Sequence, residues 1–215
     1  YTGNGGTNAQ TGVGFQPDFT WIKARSNAEN HNLFDAVRGV TKRIRSNGAE
    51  AEDTRTTSLT AFGSDGFTLG SGSQVNTNGW TFASWNWKAN GSGSLNEVGS
   101  IDSTVSANTT SGFSVVSYTG TGSTETIGHG LSSAPKMIFT KKRNGAPNWG
   151  VYYGDPTDYL ELNTTAATQD DVNMWNDTAP TSSVFSVGGD NKSSGSGNYV
   201  AYCFAEKQGY SKFGS

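Results

Sequence analysis

Phe82-Ala-Ser-Trp-Asn-Trp87 is answered 117 residues later by Tyr199-Val-Ala-Tyr-Cys-Phe204. In the second of these the alternating sets Tyr199/Ala201/Cys203 and Val200/Tyr202/Phe204 are both apolar. Side chains alternate across a strand, so a strand with two apolar faces must be covered on both sides. That predicts a central strand. Outward from it the same spacing recurs. Tyr1-Thr-Gly-Asn-Gly5 returns as Tyr118-Thr-Gly-Thr-Gly122, and Phe19-Thr-Trp-Ile-Lys-Ala-Arg25 returns as Met137-Ile-Phe-Thr-Lys-Lys-Arg143. Asn32-Leu-Phe-Asp35 matches Gly150-Val-Tyr-Tyr153, and Asp65-Gly-Phe-Thr-Leu-Gly70 matches Ser183-Val-Phe-Ser-Val-Gly188. More loosely, Gly12–Pro17 matches Gly130–Pro135. Blocks in one order at offsets of 117–118 mark an internal duplication.

Each block alternates in the manner of a half-buried strand, and Gly, Asn, Ser and Pro clusters separate the blocks as turns require. The prediction is an all-β chain of two tandem, similar modules, each a β-sandwich or jelly roll. The first module spans residues 1–89. A Gly/Ser linker takes 90–99, beginning at Ala89-Asn-Gly-Ser-Gly-Ser94. The second module spans 100–208. It opens with a strand, Gly112-Phe-Ser-Val-Val-Ser117, that has no counterpart ahead of Tyr1. Residues 209–215, Gly-Tyr-Ser-Lys-Phe-Gly-Ser, carry a similar aromatic-Ser pattern. They are expected either to begin a further module of a longer array or to supply the missing strand to module one by exchange.

One stretch competes with the all-β reading. Leu33, Phe34, Val37, Val40 and Ile44 fall at helical spacing. The matching segment of the second copy carries Gly154-Asp155-Pro156, which breaks a helix, so two strands joined near Arg38-Gly39 are expected. Asn47-Gly48 then predicts a two-residue type I′ hairpin that sets Arg45 opposite Glu50, Arg43 opposite Glu52 and Lys42 opposite Asp53.

Composition bounds the function. Of 215 residues 33% are hydrophobic and 15% charged, against about 45–50% and 25% in ordinary globular domains. Yet 12% are aromatic and the net charge is only −3, so the chain has the rings to fold and lacks the charge of a disordered one. A pI near 5.3 argues against a nucleic-acid partner. No apolar run reaches the ~18–20 residues of a spanning helix, so no membrane insertion is expected. The one cysteine, Cys203, leaves no intrachain disulfide and no cysteine metal motif, and no cofactor is expected. Tyr1 follows neither an initiator Met nor a signal peptide, so the chain reads as a piece of something longer.

Several motifs together carry a family resemblance: Tyr1-Thr-Gly-Asn-Gly5, Trp21-Ile-Lys-x-Arg25, Leu33-Phe-Asp-x-Val-Arg-Gly39, Ser64-Asp-Gly-Phe-Thr-Leu-Gly70 and Tyr199-Val-Ala-Tyr-Cys-Phe-Ala-Glu-Lys207. They resemble a repeated module of large tail and fibre-type structural proteins of tailed bacteriophages, marine ones especially, over nearly the whole chain. The resemblance implies lectin-like β-sandwiches at a virion surface or outside the cell, in contact with copies of themselves, with other virion proteins and with host glycan or receptor. It supplies no catalytic residues.

The residues themselves point the same way. His31 and His129 titrate near neutrality, but neither has the Ser or Asp context of a triad, and a solvated loop and a turn are expected for them. Glu50, Glu52 and Asp53 are explained by the predicted hairpin. Asp170, Asp171 and Asn173 could offer oxygens to Ca²⁺ but lack an EF-hand spacing, so no metal site is assigned. The chain is read as no enzyme. Among the six tryptophans, Trp21, Trp85 and Trp87 sit on core strands and are expected to pack. Trp80, Trp149 and Trp175 lie beside turns, without an aromatic partner in the other copy, and are the candidates for stacking on a sugar. Two other readings stand beside the adhesive one: a subunit of a self-assembling filament or capsid decoration, and a glycan-degrading enzyme, which would need paired carboxylates in a cleft.

Overall fold

The computed structural model describes residues 1–214. It is all-β, with several sheets and two single-turn helices. The first half holds β1 (Asn8–Gln10), β2 (Phe19–Ala24), β3 (Asn32–Asp35), β4 (Lys42–Arg43), β5 (Asp53–Thr54), β6 (Leu59–Gly63), β7 (Gly66–Leu69) and β8 (Phe82–Trp87), with α1 (Ser73–Asn76) before β8. The second half holds β9 (Ser94–Asn96), β10 (Ser103–Asn108), β11 (Phe113–Gly120), β12 (Glu125–Gly128), β13 (Met137–Lys142), β14 (Gly150–Tyr152), β15 (Asp158–Glu161) and β16 (Gln169–Asp170). After these come α2 (Val172–Trp175), β17 (Val184–Val187) and β18 (Gly197–Phe204).

The duplication recurs in the pairing registers. β2 pairs antiparallel with β8 through Phe19↔Trp87 and Ala24↔Phe82, and β13 pairs with β18 through Met137↔Phe204 and Lys142↔Tyr199. Thr20↔Phe34 between β2 and β3 returns as Ile138↔Tyr152 between β13 and β14. Asn8↔Leu69 between β1 and β7 returns as Glu125↔Val187 between β12 and β17. The sheets built on these pairs differ in size. The first half has β3-β2-β8 and β1-β7-β6, whereas the second has β12-β17 and an eight-stranded sheet in the order β16-β15-β14-β13-β18-β11-β10-β9.

Three apolar clusters hold the layers together. Ile22, Phe34, Leu59, Leu69 and Phe82 fill the first half, and Val116, Ile138, Trp175, Phe185 and Tyr199 fill the second. The third belongs to neither half. Phe19, Leu33 and Ile44 meet Phe113, Val115, Trp149, Val200 and Tyr202 between the sheets. β18 is central, as its two apolar faces predict: Tyr199, Ala201 and Cys203 face one cluster, Val200 and Tyr202 the other. The halves are therefore joined by a common core.

Several local expectations change for reasons of tertiary contact. Residues 33–44 do form two strands, with Leu33 and Ile44 exchanging backbone hydrogen bonds of 2.9 and 3.2 Å. The Asn47-Gly48 turn is not type I′, because Gly48 does not take the left-handed φ that such a turn needs. Its register slips by one, to Lys42↔Thr54 and Arg43↔Asp53. The cause lies across the seam, where the second half seizes this loop. Trp149 Nε1 donates to the Arg45 carbonyl at 2.8 Å, Lys141 Nζ to the Ala49 carbonyl at 2.8 Å, and the Glu52 amide to the Arg143 carbonyl at 2.9 Å.

The segment expected to be a linker is structured. Ala89 is buried, its amide donates to Asp18 Oδ2 at 2.7 Å, and Ser94–Asn96 is the edge strand β9 against β10. Residues 209–214 add no strand to the first half. They fold back on the end of β18, with a single Lys207↔Ser211 bridge and a Phe213 amide bonded to Glu206 at 3.0 Å.

Candidate functional site

Along one side of the seam the two halves do not close. Trp21 of β2 and Trp87 of β8 face Phe113 of β11, Phe139 of β13 and Phe204 of β18 across a groove of about 350 Å³. Strand alternation places them there. Phe19 and Trp21 point the same way from β2, but Phe19 is buried against Tyr202, with ring centroids 4.4 Å apart, while Trp21 lies where the sheets diverge. Phe113 lies tilted against Phe204 at 5.1 Å, Trp87 lies 6.1 Å from Phe204, and Phe139 meets Phe204 edge-on at 5.5 Å. The hook after β18 supplies one end wall through Tyr210, which is 65% exposed, and Phe213. None of the groove-lining residues is acidic, basic or a histidine.

Beside the groove, Trp21 Nε1 donates to His31 Nδ1 at 2.8 Å. Burial and the nearby Lys23 charge hold the His31 pKa below its ordinary value, and the accepting Nδ1 fixes the neutral ring as the Nε2–H tautomer. His31 is thus half-buried and bonded, where a solvated loop was expected. Trp85, one register step from Trp87, is 49% exposed and packs edge-on to Trp21.

On the buried side of the seam is a charged network. Arg38 Nε meets Asp35 Oδ2 at 2.5 Å, its Nη1 meets Glu52 Oε2 at 3.1 Å, and Tyr202 OH donates to Asp35 Oδ2 at 2.8 Å. Burial opposes the Arg38 charge, but Asp35, Tyr202 and Glu52 outweigh it and raise its pKa. Burial pushes the Cys203 thiol up to about 12, which keeps the sulfur protonated at neutral pH. Every ionised group of the network has a partner, which is the pattern of a structural clamp.

The expected site residues fall elsewhere. Trp149 is fully buried in the central cluster and spends its indole N–H on Arg45. Trp175 is 1% exposed in the core of the second half, and Trp80 is half-buried against the core of the first. Trp149 and Trp175 therefore present no ring to a ligand. Their neighbouring turns fold inward over them, which spacing in sequence does not reveal. Of the tryptophans expected to pack, Trp21 and Trp87 do pack against the central cluster while lining the groove, and Trp85 is exposed. The findable signal was the alternation itself, which sets Trp21 on one face of β2 with Phe19, paired to Trp85 and Trp87 of β8.

Asp171 caps α2, accepting the Asn173 amide at 2.9 Å. His129 is buried, with Nδ1 accepting from the Leu131 amide and Nε2 bonded to the Thr181 carbonyl, both at 3.2 Å. Among the described residues no cluster of three or more His, Cys, Asp or Glu side chains could hold a metal ion.

Residues 1–215 match a protein family described as a domain of unknown function, DUF7483. The chain belongs to that family. No curated protein and no solved structure matches the DUF7483 chain. Among the described residues of the DUF7483 domain no helix is long and apolar enough to cross a membrane.

Proposed function

We propose that this DUF7483 domain is a non-catalytic structural and adhesive module of a phage tail fibre or similar virion appendage. On this reading the aromatic groove contacts a host surface glycan or receptor. Each half is then a lectin-like β-sandwich, and the observation that carries the reading is the groove between them. Rings with accessible faces stack on sugars or apolar partners, and a cleft lined by rings with no charged side chain suits recognition better than hydrolysis. Weak single sites gain strength when an appendage presents them many times. The location, outside the cell on a virion surface, rests on the sequence resemblance.

The test is binding to a panel of bacterial surface polysaccharides, read by tryptophan emission and pull-down. Binding that falls at least about tenfold in Tyr210→Ala and Phe213→Ala, with melting unchanged, supports the reading. A protein that binds no polysaccharide or cell, or variants that bind as the wild type does, sinks it. A second reading is a subunit that assembles with copies of itself in a filament or capsid decoration. One observation favours it, the indole of Trp85 on β8, which is 49% exposed outside the groove.

A further inference from the structure

The face of β2 that lines the groove continues past it. Side chains alternate along a strand, so Phe19, Trp21 and Lys23 stand in one row, and the pairing of β2 with β8 sets Trp85 beside Trp21 and Ala83 beside Lys23. The ladder runs one step further, where the Arg25 amide bonds the Thr81 carbonyl at 2.8 Å. His31 precedes Asn32, the partner of Ile22, and so lies next to Lys23 on the other side. This end of the face is open: Trp85 is 49% exposed, Arg25 is exposed, and Trp21, Lys23 and His31 are half-buried. Trp85 meets Trp21 at 73° with ring centroids 6.4 Å apart, so the two indoles form a corner.

The polar groups of this corner are unspent. At the seam Arg38 and Arg143 each meet a carboxylate, but among the described residues Lys23 and Arg25 meet none, although Glu29 lies in the same loop. Lys23 Nζ bonds only backbone carbonyls, Ala24 at 2.8 Å and Asn27 at 3.5 Å, which leaves one of its three N–H donors over. His31 spends Nδ1 on the Trp21 indole, so its Nε2–H is a donor without a partner among the described residues. In a chain of net charge −3, two unpaired cations and an imidazole donor beside two indoles are complementary to a flat ring that carries a negative charge. A uronate fits both halves of that description, with C–H groups on the ring face and a carboxylate at the rim.

We propose that this corner binds an acidic sugar, a uronate residue of a polysaccharide. Its ring lies on Trp85, its carboxylate takes Lys23 Nζ and His31 Nε2–H, and Arg25 adds attraction from the rim. The choice of a glycan rests on the adhesive reading. The place does not, because Lys23, Arg25, His31 and Trp85 all lie outside the groove.

The probes are galacturonate and mannuronate oligosaccharides and their methyl esters, which keep the ring and lose the charge. They are titrated against the full chain and followed by calorimetry and tryptophan emission. At least one acid should bind saturably, weaken with added salt, and bind at least about tenfold more tightly than its ester. Lys23→Gln and Trp85→Ala should each lower that affinity at least about tenfold while melting as wild type, and Lys23→Arg should restore most of what Lys23→Gln loses. Esters that bind as well as the acids, no binding of either acid, or full affinity in Lys23→Gln would each overturn the proposal. Equally tight binding of a polyglutamate peptide would reassign the corner to acidic peptides and overturn the sugar. The groove fails separately. Uronate binding lost in Lys23→Gln but kept in Tyr210→Ala and Phe213→Ala supports this site and sinks the groove; the reverse pattern keeps the groove and overturns this site.

Discussion

Arg143 in the second half and Glu52 in the first form a two-point ion pair, with Nε 2.9 Å from Oε2 and Nη2 3.1 Å from Oε1. The same Glu52 oxygen takes Arg38 Nη1 from within its own half. One carboxylate therefore serves an arginine from each side of the seam, at its edge, beside the shared core of Phe19, Leu33, Phe113 and Tyr202.

Glu52→Ala should cost about 3 kcal/mol in urea unfolding, because the fully buried Arg38 side chain loses a partner. Arg143→Ala should cost only about 1 kcal/mol, since that side chain is partly exposed and can rehydrate. Equal effects for the two would show that the seam is held by packing alone.

Stability should fall on the acid side in two stages. The His31 and His129 pKa values are lowered by burial, so the unfolded chain takes up protons first once pH drops below about 6.5. Burial pushes Glu52 up, but the Arg143 hydrogen bond and the Arg38 charge outweigh it, and Asp53 is likewise lowered on balance by Arg43 and Arg55. Their stabilisation is complete above the unfolded carboxylate pKa and is lost as pH falls through the lower folded values. In Glu52→Gln the second stage should shrink while the first persists; a denaturation midpoint flat from pH 7 to 3 would contradict both.

Trp149→Ala should cost roughly 3–5 kcal/mol, as a fully buried indole leaves a cavity and an unpaired Arg45 carbonyl. Trp85→Ala should cost no more than about 1 kcal/mol, its ring being half in water. The two melting curves decide between a core and a surface role for each ring.

Acidification should change the emission of Trp21. Protonated His31 can no longer accept from Nε1, so the indole loses its partner as pH passes below the lowered His31 pKa. The change should vanish in His31→Gln and in Trp21→Phe. A transition that survives in either variant would have another source.

What the sequence by itself determined was strand content, the duplication and the centrality of Tyr199–Phe204. These rest on period-two alternation and on side-chain identity, which are local. Even the choice of strands over a helix at Leu33–Ile44 followed from comparing one copy with the other. Tertiary structure decided whatever depends on what lies across the seam. Asn47-Gly48 was overruled as a type I′ turn because Trp149, Lys141 and Arg143 hold its loop from the other half. Trp149 and Trp85 exchanged their expected roles for a related reason, since burial depends on which element closes over a ring. A repeat in sequence specifies matching strands; it does not specify which rings the opposite half covers.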